Sequence, residues 1–179
     1  MRLVYFILFL SIIDFYGCTS NRAAIKEFSN MTYFVKDEGG KRKATLIEGG
    51  YGEPEVAVDY DNRYVFGDFN HDGLRDAAVI IVEGTGGSSS TYILAFLIND
   101  GKKLVHEASE DLDGDAIINS MKEQNGKVLI DMYVHQEGDS KAEPTKHVRN
   151  LYKYIGPQFD GLKILPRNIL CVGPSGWPE

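Results

Sequence analysis

Residues 64–82 constrain the fold more than any other stretch, because two apolar runs enclose a short and strongly polar segment. The run before this segment is rich in aromatic and β-branched residues, and the run after it, at 77–82, is continuously apolar. Both compositions favour strands. The stretch therefore predicts a strand, a tight loop and a second strand.

Side-chain oxygen donors in this loop occupy the first, third, fifth and ninth positions of a calcium-loop pattern: Asp68, Asn70, Asp72 and Asp76. Gly73 stands at the sixth position, where such a loop turns sharply, and Leu74 at the seventh is expected to contribute its backbone carbonyl. Val79 replaces the bidentate Glu that an EF-hand has at its twelfth position. We therefore predict a strand-loop-strand Ca²⁺ site with a dissociation constant on the order of 10⁻⁴–10⁻³ M.

The same residues also suit a tight turn that binds no metal, because Asp and Asn bond backbone amides in such turns. Carboxylates this close repel one another without a cation, which favours the calcium interpretation. A second acidic cluster comprises Asp111, Asp113 and Asp115, but it lacks a later ligand. A solvated acidic turn is the expected structure there.

The N-terminus has the layout of a secretory signal. Arg2 gives a positive start, and residues 3–13 form an apolar core that is too short to span a bilayer. Residues 15–18, Phe-Tyr-Gly-Cys, resemble the lipobox of bacterial lipoproteins, in which the cysteine is acylated and becomes the mature N-terminus. This resemblance implies a membrane anchor at Cys18. An ordinary secretory signal cleaved nearby and an amphiphilic anchor are the alternatives.

Two further features concern location. Thr19 follows the cysteine, and by the sorting rule of Gram-negative lipoproteins this resemblance implies the outer membrane, facing the periplasm. The second cysteine, Cys171, stays alone if Cys18 is acylated, and otherwise the two could form a disulfide in an oxidising compartment.

The rest of the chain is a series of short β-type runs separated by turn signals, with no helical stripe of any length. The apolar runs 77–82 and 92–98 do not alternate with polar residues, so both faces of these strands should be covered. Hairpin turns are expected at 99–101, Asn-Asp-Gly, and at 124–126, Gln-Asn-Gly.

These patterns predict a mainly β protein: one antiparallel domain, a sandwich or a strongly curved sheet, after a cleaved signal peptide. The boundaries are a signal peptide at 1–17, a polar tether at 18–30 with at most one helical turn, the β domain at 31–165, and a Pro/Gly-rich tail at 166–179. A last short strand is expected at 162–165.

Four features resemble a group of small bacterial lipoproteins of uncharacterised function: the calcium-type motif at 67–78, the Gly/Ser-rich loop at 84–90, Asp-Met at 131–132 and Pro-Thr at 144–145. This group often has two adjacent cysteines before the Pro-Thr step, whereas this chain has Ala142 and Glu143. The resemblance therefore implies no thiol chemistry there. The loop is also similar to the calcium loops of FG-GAP and integrin-type propellers, but one copy excludes a propeller.

Charge and motifs limit the function. A formal net charge of −7 argues against nucleic-acid binding, which needs clustered Lys and Arg. No catalytic constellation is evident, so we predict a non-catalytic, lipid-anchored envelope domain with a structural Ca²⁺ and a binding or scaffolding role. Its protein or glycan partner is not indicated. The alternatives are a metal-assisted envelope hydrolase and an inhibitor or adhesion module that uses loop 84–90.

Overall fold

The computed structural model describes residues 16–37, 40–53, 56–84, 90–140 and 142–157. One helix and ten strands lie within these ranges: α1 Tyr16–Phe28, β1 Thr32–Asp37, β2 Gly40–Thr45, β3 Gly50–Glu53, β4 Val56–Gly67, β5 Asp76–Gly84, β6 Ser90–Asn99, β7 Leu104–Gly114, β8 Ile117–Glu123, β9 Val128–Val134 and β10 Lys146–Tyr152.

The strands form three antiparallel sheets. β1 and β2 make a two-stranded N-terminal hairpin, β3 to β7 make a five-stranded central sheet in chain order, and β8, β9 and β10 make a three-stranded outer sheet with β9 in the middle. Within each sheet, strands that are consecutive in the sequence pair with each other. The prediction of a mainly β, antiparallel protein is confirmed.

Two apolar cores lie on opposite faces of the central sheet. Val79 and Ile81 of β5 join a core with α1 and the N-terminal hairpin, whereas Ile80 joins a core with the outer sheet. All three side chains are fully buried. This three-layer packing confirms that the apolar runs 77–82 and 92–98 are covered on both faces, and it explains why they lack polar alternation.

The segment predicted as a polar tether is instead largely helical. α1 extends over 13 residues, and its side chains Ala24 and Phe28 are buried in the core beneath the N-terminal hairpin. The hydroxyl of Tyr33 donates a hydrogen bond of 2.9 Å to the carbonyl of Phe28 at the end of the helix. The expectation of a single turn was wrong, because tertiary packing of a short apolar stripe stabilises a helix that weak local periodicity does not reveal.

Both predicted hairpin turns are confirmed. The turn between β8 and β9 has positive φ angles at Asn125 and Gly126, 53° and 69°, as a type I′ turn requires. The turn between β6 and β7 has φ 86° at Gly101.

Several predictions concern residues outside the described ranges. They are the apolar core of the signal peptide, the short strand at 162–165, the tail at 166–179 and the state of Cys171. Within the described ranges, no helix combines the length and the apolar character needed to cross a membrane.

Candidate metal-binding loop

The calcium-type segment closes the hairpin of β4 and β5. Gly67, the last residue of β4, pairs with Asp76, the first residue of β5, and residues 68–75 form the loop between them. The predicted strand-loop-strand arrangement is therefore correct. Gly73 has φ 84°, the left-handed conformation that favours glycine, although a Cβ there would meet no atom within 4 Å.

Three of the predicted ligands bond the loop's own backbone. Asp68 accepts hydrogen bonds from the amides of Asp72 and Gly73, each at 3.1 Å. Asn70 Oδ1 also accepts from the Asp72 amide at 3.1 Å, and Asp72 Oδ1 accepts from the Leu74 amide at 2.7 Å. The Asn70 side-chain amide donates to Asp72 Oδ2 at 2.8 Å. The loop conformation thus depends on these side chains.

Asp76 holds the loop to the end of the central sheet. Its side chain is fully buried, and Oδ2 accepts hydrogen bonds from the amides of Phe69 at 2.8 Å and Asn70 at 3.4 Å. Oδ1 accepts from the amide of Asn99, the last residue of β6, at 2.9 Å. A buried carboxylate is stable only when it is hydrogen-bonded, and these three amides supply that stabilisation.

The chemistry of the donor set fits a hard cation. A carboxylate offers about four lone-pair positions. Asp68 and Asp72 accept two hydrogen bonds each, so both retain acceptor capacity, whereas Asp76 accepts three. Within the described residues, no three His, Cys, Asp or Glu side chains converge as ligands of one ion. The loop's own amides thus take up part, but not all, of the acceptor capacity of Asp68 and Asp72.

The turn between β8 and β9 packs against this loop, a contact that the sequence does not indicate. A Cβ built at Gly126 would lie 2.5 Å from Cε1 of His71 and 3.2 Å from the carbonyl oxygen of Asp68. A Cβ at Gly67 would lie 3.0 Å from Cγ of Glu123, the last residue of β8. The loop therefore connects the central sheet to the outer sheet.

The second acidic cluster is mostly part of a strand. Asp111 and Asp113 lie within β7, so the expectation of a turn at these residues was wrong. Asp113 accepts a hydrogen bond of 2.8 Å from the His135 amide, and Asp115, which follows the strand with φ 53°, accepts one of 2.9 Å from the Ser90 amide. Asp113 and Asp115 each accept a hydrogen bond from a backbone amide more than 20 residues away in the sequence. They therefore connect segments that are adjacent only in the folded chain.

A polar cluster on the outer sheet escaped the sequence analysis. Asp131 Oδ1 accepts hydrogen bonds of 2.9 Å from Asn119 Nδ2 and His147 Nε2, and Oδ2 accepts one of 2.5 Å from Arg149 Nε. Burial alone would raise the pKa of Asp131, but these three hydrogen bonds outweigh it and hold the pKa well below its usual range. The alternation in β9 hinted at an outward Asp131, but not at its partners.

Two other predicted positions are only partly described. The backbone of Cys18 lies in the first turn of α1. Residues 85–89 of the Gly/Ser-rich loop are outside the described ranges.

No protein-family model, curated protein or solved structure matches the chain.

Proposed function

We propose that the protein is a non-catalytic domain of the bacterial cell envelope, anchored through an acylated Cys18, with loop 68–76 as a structural Ca²⁺ site. It has a binding or scaffolding role and faces the periplasm from the outer membrane. The observation that carries the calcium proposal is the position of the loop at the junction of two sheets. A cation there would stabilise the packing of His71 against Gly126.

The ligand roles differ within the loop. Asp68 and Asp72 are the side chains with acceptor capacity to bind the ion, with Asn70 beside them. Asp76 is mainly the buried anchor, because three amides bond its oxygens and leave it about one acceptor position for the ion. Bound Ca²⁺ supplies positive charge that relieves the repulsion between neighbouring carboxylates.

The helix limits how far the domain stands from its anchor. Cys18 and the buried Ala24 are both in α1. At about 1.5 Å of rise per residue, the core begins roughly 9 Å along the helix from the acylation position. Anchoring at Cys18 would therefore hold the β domain close to the membrane surface, rather than on a long flexible tether.

The calcium proposal is tested by an NMR titration of the full chain with CaCl₂. Saturable shifts should be confined to the amides of 68–76 and of the adjacent turn at 124–126. The D72N variant should lose saturation, whereas D111N, in the second acidic cluster, should retain it. Shifts spread evenly over acidic surface residues, or equal titration of D72N, would contradict a site in this loop.

The anchor is tested separately by growing bacteria that express the chain with radiolabelled palmitate. We expect label in the wild-type chain and none in C18S, which should leave the membrane fraction. If the wild-type protein carries no label and is cleaved at another position, the result would instead support an ordinary secretory signal.

A further inference from the structure

The N-terminal hairpin lies on the central sheet without extending it. β1 and β2 form a sheet of their own, so no ladder between described strands joins them to the central sheet. Three of their side chains are buried in the core shared with α1 and the central sheet: Tyr33, Val35 and Ala44. Arg42 of β2 also pairs with Glu53 of β3, at 3.4 Å between Nη1 and Oε2. A hairpin attached in this way can separate from the central sheet as a unit.

His106 of β7 makes a buried polar contact with β1. The residue is only 2% exposed, and its Nδ1 accepts a hydrogen bond of 2.9 Å from the backbone amide of Phe34. The rings of Tyr33 and Phe34 lie 5.6 Å and 5.9 Å from the imidazole, between centroids. The hairpin therefore covers this imidazole when it is in place.

The partners of the imidazole define its tautomer. A backbone amide can only donate, so Nδ1 must carry no hydrogen to accept from Phe34. Nε2 lies 3.1 Å from the carbonyl oxygen of Ala108, which can only accept, so Nε2 carries the hydrogen. The hydroxyl oxygen of Ser109 is 2.7 Å from the same nitrogen. The folded chain thus holds a neutral imidazole in one tautomer.

We propose that His106 makes the attachment of the hairpin sensitive to pH, so that protonation of Nδ1 favours opening of the hairpin away from β7. A proton taken from solvent would convert Nδ1 from an acceptor into a donor, and two donors would then face each other across the contact with Phe34. The charged ring would also be buried. Opening the hairpin exposes the ring to water, which solvates the imidazolium.

Titratable groups approach the ring from the hairpin and from α1. Tyr33 stays neutral, because burial raises the pKa of its phenol. The ammonium of Lys43 on β2 lies 5.9 Å from the centroid of the Phe34 ring, and its charge opposes a second positive charge nearby. The carboxylate of Glu27 in α1 lies near the Tyr33 hydroxyl and acts in the opposite direction. The charges on this side of the ring are therefore of both signs.

The central sheet adds one apolar neighbour and two carboxylates. Leu97 of β6 is the register partner of His106, and Asp111 shares the ring's face of β7. Glu107 instead bonds the hydroxyl of Tyr154, which packs with the core on the opposite face. The three groups described above that bond the imidazole are uncharged. The change of Nδ1 from acceptor to donor is therefore the main effect of the proton.

The size of the effect follows from linkage. An exposed imidazole has a pKa of about 6.5, so the open state binds a proton below that pH, whereas the closed state excludes it. The attachment is therefore fully stable above about pH 6.5 and weakens as the pH falls. If the closed state binds no proton, the equilibrium constant for opening rises about 30-fold between pH 7.5 and pH 5.0.

Amide hydrogen exchange of the full chain, followed by NMR at pH 7.5 and at pH 5.0, tests the proposal. After correction for the intrinsic exchange rate, the protection of the Phe34 amide should fall about 30-fold at the lower pH. The amide of Ala78, which pairs with both β4 and β6, should be better protected than that of Phe34 at both pH values. That order would show that the hairpin opens while the central sheet stays paired.

Two variants separate His106 from the other histidines. H106Q cannot bind a proton at this position, so the protection of its Phe34 amide should change by less than about threefold between the two pH values. H147Q replaces an exposed histidine of the outer sheet and should lose protection as wild type does. Circular dichroism establishes that each variant is folded.

A long-range ¹H–¹⁵N spectrum of the wild-type chain at pH 7.5 measures the tautomer without any variant, and we expect the hydrogen of His106 on Nε2. A hydrogen on Nδ1, unchanged protection of Phe34 in wild type, or an equal fall in H106Q would overturn the proposal. Equal protection of Phe34 and Ala78 would also overturn it, because exchange would then require global unfolding. If H106Q does not fold, the tautomer and the wild-type protection at the two pH values decide. None of these results bears on the Ca²⁺ site or on acylation of Cys18.

Discussion

At the residue scale, two tyrosines of the same core differ in whether the buried hydroxyl has a hydrogen-bond partner. Tyr33 OH donates to the carbonyl of Phe28, whereas Tyr60 OH is the one buried side-chain polar atom in the described part of the chain without a hydrogen-bond partner. Burial raises the pKa of Tyr60, and the neighbouring Tyr64 and Asp61 raise it further. Both phenols therefore stay neutral, but only Tyr33 is compensated for leaving water.

Substituting these tyrosines should have opposite effects on stability. Y60F removes an unsatisfied hydroxyl and should raise the free energy of unfolding by up to about 1 kcal/mol. Y33F removes a buried hydrogen bond and orphans a carbonyl, so it should lower this free energy by about 1–2 kcal/mol. Urea denaturation of both variants measures the difference. A loss in Y60F as large as that in Y33F would mean that the Tyr60 hydroxyl has a partner.

Asp76 and Asp72 should also respond differently to the loss of charge. D76N leaves three backbone amides with fewer acceptors in a buried position, so we expect a loss of at least about 2 kcal/mol. D72N changes an exposed side chain and should cost less than about 1 kcal/mol. The measurement is urea denaturation in EDTA, so that no metal contributes. Equal losses would contradict the anchoring role of Asp76.

At the element scale, the packing of the β8–β9 turn on the β4–β5 loop depends on the close approach of Gly126 to His71. G126A should lower the free energy of unfolding by roughly 2–4 kcal/mol, because alanine is strained at φ 69° and its Cβ would overlap His71. G101A is the matched control: its φ of 86° imposes similar strain, but no atom lies within 4 Å. It should lose only about 1–2 kcal/mol.

A double-mutant cycle isolates the contact. H71A should recover part of the loss in G126A and should change G101A additively, since only the first pair is in contact. Complete additivity of H71A with G126A would mean that the turn does not pack on the loop.

The sequence predicts strands and turns better than it predicts the helix. Asn125-Gly126 needs positive φ in any tight hairpin, so composition alone identifies that turn. α1 was not predicted, because its stability comes from the packing of Phe28 beneath the N-terminal hairpin and not from a local sequence pattern. β7 continues through Asp111 for a similar reason, since its pairing with Ile93 of β6 overrides the low strand propensity of aspartate.

At the scale of the whole molecule, the covered faces of β5 and β6 could be predicted, but their partners could not. A continuous apolar run indicates that both faces of a strand are buried, but it does not indicate which elements pack on them. The amide of Phe34 donates to Nδ1 of His106 at 2.9 Å across 72 residues of sequence, and this contact attaches the N-terminal hairpin to β7. The Asp131 cluster joins three strands in the same way. Such pairings depend on sheet order, which local periodicity does not encode.

The whole fold should lose stability in acid. Hydrogen bonds hold the pKa of Asp131 well below its usual range, the backbone amide of Lys103 lowers the pKa of Asp100, and the hydroxyl of Thr145 lowers that of Asp139. Below the unfolded-state pKa of about 3.9, the unfolded chain binds more protons, so this stability is present above that pH and is lost on acidification.

Urea midpoints at pH 6 and at about pH 3.5 measure this acid sensitivity. The wild-type midpoint should fall, and D131N, which cannot titrate at this position, should show a smaller fall from its own value at pH 6. An equal fall in D131N would mean that other carboxylates account for the acid sensitivity.

The most direct test of the account is the melting temperature of the full chain in EDTA and in about 10 mM CaCl₂. With a dissociation constant on the order of 10⁻⁴–10⁻³ M, binding should add about 1.4–2.7 kcal/mol. That should raise the wild-type melting temperature by roughly 3–10 °C. D72N should not respond, and D111N should respond as wild type does. Identical wild-type melting temperatures in EDTA and CaCl₂, or an equal rise in D72N, would contradict a structural Ca²⁺ in loop 68–76.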